Sequence, residues 1–93
     1  MAPDRKSLDL DCGIAPARIL PWLEDELALS QDAGGAYVYE SDGQTCTIEV
    51  APMGRDFSRP FALERTRLVI TGTEEAVDAF MRLFTLRFIS AGG

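Results

Sequence analysis

The sequence predicts an α+β two-layer sandwich. Its antiparallel sheet has four strands, five if the C-terminal segment adds one, with two helices on one face in the order β-α-β-β-β-α(-β). Three observations carry this reading. Residues 7–14 alternate apolar and polar at period two, two β-rich runs flank an Asp-Gly pair, and Val77, Phe80, Met81, Phe84 and Phe88 form one helical stripe. Strands clustered between helices, rather than alternating with them, mark the α+β class.

The first strand follows from Leu8, Leu10, Cys12 and Ile14 on one side and Asp9 and Asp11 on the other. One buried and one wet face suit an antiparallel sheet, because parallel strands covered on both faces are apolar throughout. Ile19, Leu20, Leu23 and Leu27 then recur at helical spacing, with Glu24, Asp25 and Glu26 opposite. Pro21 has no N–H and disfavours helix at Leu20, so the regular helix is expected from near Pro21, after a separate turn around Pro16. Gln31-Asp32-Ala33-Gly34-Gly35 ends it.

Residues 36–40 and 45–50 are the two runs of a β-hairpin around Ser41-Asp42-Gly43-Gln44. Asp-Gly supplies the positive φ angles of a tight turn. A loop is expected over 51–60 and a further strand over 61–71, ending in Leu68-Val69-Ile70. Gly72-Thr73 punctuates it, with Thr73 as N-cap and Glu74 and Glu75 in the first turn of the second helix. That helix is expected through about Thr85. Leu86 and Ile89 lie off its stripe, which leaves residues 86–90 as helix or as a short edge strand.

Ninety-three residues make one domain, 1–93, with residues 1–6 and 91–93 expected as mobile tails. At 46% hydrophobic and 26% charged the composition is globular. No apolar run is long enough to span a membrane, and the polar start leads into no signal core, so the expected location is cytoplasmic. A net charge of −6 argues against nucleic acid, whose phosphates need clustered bases. The charge is uneven. Residues 1–50 carry three bases and ten acids, whereas residues 51–93 carry six arginines and five acids.

Histidine is absent, which removes the usual general base, the Ser-His and Cys-His nucleophile pairs and most transition-metal sites. The single lysine, Lys6, falls in the expected N-terminal tail, and Gly34-Gly35 precedes a strand where phosphate loops require a helix. No catalytic constellation, cofactor or metal is therefore expected. Asp9, Asp11 and Glu49 gather as oxygen ligands only if the sheet brings them together, and otherwise form a solvated face with Arg65 and Arg67 as partners. Cys12 and Cys46 read as buried thiols that approach bonding distance only if their strands are neighbours.

Two groups of residues suit a protein partner. The 52–60 loop sets Met53 and Phe57 among Arg55 and Arg59, the side-chain types that dominate interface energetics, and loops carry function disproportionately. Tyr37 and Tyr39 alternate with Val38, so one register puts both tyrosines in the core and the other displays them on the open face. The chain ends Ser90-Ala91-Gly92-Gly93, which resembles the tail of ubiquitin-like sulfur carriers. That resemblance implies a Gly93 carboxylate that is activated and thiolated. The rest of the chain departs from that family, which opens with a hairpin where this chain has one strand.

The function expected from sequence is a non-catalytic protein-interaction module: an adaptor, inhibitor or chaperone-like subunit. It would dock through a sheet face or edge or through the 52–60 loop, and self-pairing into a homodimer is one way to cover an edge. A small-ligand sensor with a cleft near Trp22, and a Gly-Gly carrier, are the alternatives.

Overall fold

The computed structural model describes residues 4–55 and 64–89. Strand β1 (Arg5–Cys12) leads into helix α1 (Pro16–Pro21), which widens into a π-helical turn over Trp22–Glu26. Strands β2 (Ser30–Gln31), β3 (Tyr37–Ser41), β4 (Gln44–Arg55) and β5 (Glu64–Thr73) follow. Helix α2 (Glu74–Phe84) closes the described chain with a second π-helical turn, Thr85–Ile89. All pairings are antiparallel, in the order β1-β5-β4-β3-β2. The architecture is the predicted α+β sandwich of a five-stranded antiparallel sheet with two helices. None of the described helices is long and apolar enough to cross a membrane.

The fifth strand is not the C-terminal one. It is β2, whose two residues pair with β3 at Ser30–Val38 and Gln31–Tyr37. Residues 85–89 coil instead of extending, and the wide turn leaves Phe88 against Phe84 and Trp22, with ring centroids 5.2 Å away in each case. Inclined ring contacts of this kind favour the helical path over a strand.

Pro21 acts differently from expectation. The helix lies before it, and Pro16 takes the first turn, where no N–H is needed. At Pro21 the missing N–H and the ring's clash with the carbonyl four residues back break the regular ladder. The chain continues in a wider coil, with Leu27 N–H donating to the Trp22 carbonyl at 2.9 Å. Ala28, at φ 53°, then turns the backbone out.

The hairpin forms as read. Asp42 and Gly43 have φ of 52° and 78° and join Ser41 to its partner Gln44. Strand β4 runs past the expected loop start to Arg55, and the register shifts between Pro52 and Gly54. Met53 is the extra residue of this bulge, and Gly54 supplies a φ of 77°. Proline is tolerated in an interior strand at such a place. Thr73 caps α2, its Oγ1 accepting from Ala76 N–H at 3.3 Å.

The core lies between the sheet and the helices. Ile48, Leu68 and Ile70 of the sheet and Ile19, Leu23, Val77, Phe80 and Phe84 of the helices are buried in one cluster. Trp22 packs on Phe80 and Phe84 with centroids 5.6 and 6.0 Å apart. Thr66 is a buried polar residue, and its hydroxyl donates to the Ile14 carbonyl at 2.6 Å.

Candidate functional site

The sequence-predicted residues do not converge. Met53 stands at the β4 bulge, 49% exposed. Arg55 ends β4 opposite Glu64. Phe57, Arg59, Gly92 and Gly93 lie outside the described residues. Tyr37 and Tyr39 take the inward register. Tyr37 is buried and donates to Glu24 Oε2 at 3.1 Å, and Tyr39 is half-buried against Phe80 at 5.7 Å. The display of both tyrosines on the open face is therefore corrected: Val38 takes that face, because a one-residue slip would expose the ring that Glu24 and the core now hold. Burial, and then the Glu24 carboxylate, push the Tyr37 hydroxyl above its ordinary value. Trp22 is buried, with the rings of Phe80, Phe84 and Phe88 around it.

Asp9 and Asp11 on the open face are held by arginines. Arg67 meets both Asp9 oxygens, at 2.9 and 2.5 Å, and Arg65 reaches Asp11 at 2.8 Å. Each pair is diagonal across β1 and β5, since Asp11 stands opposite Arg67 and Asp9 opposite Val69. The Arg67 guanidinium holds the Asp9 carboxyl below its ordinary value. Among the described residues no three acids or thiols gather to hold a metal ion.

The cysteines sit on strands separated by β5. Cys12 faces Thr66 and Cys46 faces Gly72, six residues further along that strand, so the neighbouring-strand condition for a bond is not met. Burial pushes the Cys46 thiol up to about 11, and its Sγ–H points to the Ala76 carbonyl at 3.6 Å. Such a thiol is protonated at neutral pH and is a poor nucleophile.

A different surface is built by topology. Strand β1 is the outermost strand at one margin and has β5 as its neighbour among the described strands. Its inward residues Leu8, Leu10 and Cys12 are only half-buried, although they continue the same apolar pattern as the core. Between β1 and α2 runs a groove of about 330 Å³ lined by Leu10, Cys12, Ile14, Met81, Phe84 and Ile89. Met81 also borders a second hollow along the α2 flank, shared with Asp78, Arg82, Thr85 and Leu86. Ile89 and Leu86 stand at 63% and 67% exposure.

The same flank has a charged end. Lys6 leaves β1 on the helical face and donates to Asp78 Oδ1 at 2.8 Å. Asp78 also lines a third hollow at the start of α2, together with Glu74, Glu75, Asp4 and Gln44. The flank of α2 thus grades from acidic at its N-terminus to apolar at its C-terminus. In the sequence Leu86 and Ile89 stand off the core stripe, and that departure is the available signal for this surface. No protein-family model matches the chain, and neither a curated protein nor a solved structure matches it.

Proposed function

We propose that the protein is a non-catalytic protein-interaction module that docks a partner along the β1 edge and the apolar groove between β1 and α2. One observation carries the reading: an eight-residue edge strand lies flush with a groove lined by Leu10, Ile14, Met81, Phe84 and Ile89. An edge strand offers a row of backbone donors and acceptors, and an adjacent apolar groove supplies side-chain pockets, the two components of recognition by strand addition. Ile89 and Leu86 add exposed apolar surface beside the groove. Asp9, Asp11 and Lys6 of β1 are each engaged in an ion pair.

The test is Ile89→Asp. Ile89 is exposed, so the change leaves the melting temperature within about 2–4 °C, as surface substitutions of under about 0.5 kcal/mol do. Capture of the partner from source-cell lysate, identified by mass spectrometry, is expected to fall to background. Equal capture by the wild-type chain and Ile89→Asp would remove the groove as the docking surface.

A further inference from the structure

We infer that the partner at this edge is a second copy of the chain, joined by antiparallel pairing of β1 with β1 about a two-fold axis at Leu8. The inference rests on the reading of the β1 edge as a docking surface and adds the identity of its occupant. What carries it is the order of charges along the strand. Arg5 and Lys6 open β1, and Asp9 and Asp11 close it. An antiparallel copy of such a strand meets it with the signs reversed.

The register is decided by the face each residue occupies. Arg5, Ser7, Asp9 and Asp11 point to the open face, and Lys6, Leu8, Leu10 and Cys12 to the helical face. A two-fold axis normal to the sheet keeps both helical layers on one side, so opposed residues must share a face. Centred on Leu8, the pairing sets Arg5 against the second copy's Asp11 and Ser7 against its Asp9, each twice. Leu8 meets Leu8 on the helical side. Centring one residue further along would put Asp9 against Asp9, which like charges disfavour. Centring on Ser7 would leave Asp11 without an opposed base.

Three further features suit this arrangement. Arg5 is exposed and makes no ion pair within the described residues, so it is available to Asp11. An inward-pointing lysine ordinarily guards an edge against pairing. Lys6 is already neutralised by Asp78 and keeps that bond in the dimer. The same axis turns the two α2 flanks toward one another, where Met81 and Ile89 gain cover.

The experiment is sedimentation equilibrium of the full chain with two charge reversals, Arg5→Asp and Asp11→Arg. The wild-type chain is expected to reach the mass of two chains below about 1 mM. Each reversal alone sets like charges against one another and weakens self-association about tenfold. An equimolar mixture of the two variants restores the dimer, because both cross-chain pairs are again opposite in sign or relieved of repulsion. A mixture no more associated than either variant overturns the pairing, and so does a wild-type chain that stays monomeric to that concentration.

Should Asp11→Arg fail to fold, Leu8→Cys tests the same axis. Opposed residues in antiparallel strands have Cβ atoms about 4.5–5.5 Å apart, so Leu8→Cys is expected to cross-link to dimer under mild oxidation. Leu10→Cys, which would face Lys6, is not. Equal cross-linking at both positions overturns the register. A monomeric chain overturns self-pairing alone, because the docking reading fails only if Ile89→Asp captures every protein, this chain included, as well as the wild-type chain does.

Discussion

The centre and the β1 margin of the sheet are written in the same pattern and buried to different depths. In β5, Thr66, Leu68, Ile70 and Gly72 alternate with polar or half-buried residues and are fully covered by the helices. In β1, Leu8, Leu10 and Cys12 alternate with Ser7, Asp9 and Asp11 just as regularly, yet remain half-buried. Period two decides which face a residue takes. How well that face is covered depends on where the helices lie, and α1 and α2 concentrate over β3, β4 and β5. The margin therefore keeps apolar surface that the centre has committed to its core.

The sharpest way to break this comparison is to truncate one leucine in each region. Leu68→Ala in the buried centre is expected to cost about 3–4 kcal/mol, the lost transfer energy plus a cavity that the packed core cannot close. Leu10→Ala at the margin is expected to cost about 1–2 kcal/mol, since less area is removed from water and the groove lets solvent fill the gap. Urea unfolding measures both. Equal costs would show that the margin is packed as tightly as the centre, and the groove would lose its meaning.

Gly72 probes the centre from the backbone. Opposite it, Cys46 comes so near that a Cβ on residue 72 would lie 2.5 Å from both Cys46 Cα and Cys46 Cβ, and against the Thr45 carbonyl as well. Two of those neighbours are backbone, so β4 must move away from β5. Gly72→Ala is expected to cost about 2 kcal/mol or more, read from the same unfolding curves. An alanine tolerated without loss would mean that the two strands are looser at this step than at Leu68.

The parts of this fold that were legible in the sequence depend on a few neighbouring residues. Asp42-Gly43 specifies its turn, Thr73 caps α2 through a hydroxyl three residues from its donor, and the alternation in β1 and β5 sets their faces. What was missed depends on distant chain. Pro52 and Gly54 mark a loop by composition, but pairing with β5 overrides them and turns the same residues into a bulge. A two-residue strand such as β2 has no period to read. Pro21 announces a break, while only packing decides whether the helix lies before or after it. Strand order, which places β5 between Cys12 and Cys46 and leaves β1 at the margin, is written in no local pattern. The proposed docking surface was illegible for that reason, although Leu86 and Ile89, out of step with the α2 stripe, were its trace.

The smallest expected effect concerns the outer face of the margin, where ion pairs stand in for burial. Asp9 is held below its ordinary value of 3.8, chiefly by the hydrogen bonds from Arg67. A carboxyl whose pKa is lowered by folding adds stability above its unfolded value and loses it as pH falls through the folded one. Both partners of this pair are more than half exposed, so solvent screens much of the attraction. Asp9→Asn is therefore expected to lower the melting temperature slightly near neutral pH, with the difference from wild type disappearing in acid below the ordinary carboxylate range. High salt should shrink the same difference at neutral pH. A difference that persists unchanged into acid would mean that Asp9 stabilises the margin through its shape and neutral hydrogen bonding, and the charge pattern along β1 would then have no part in holding the strand to β5.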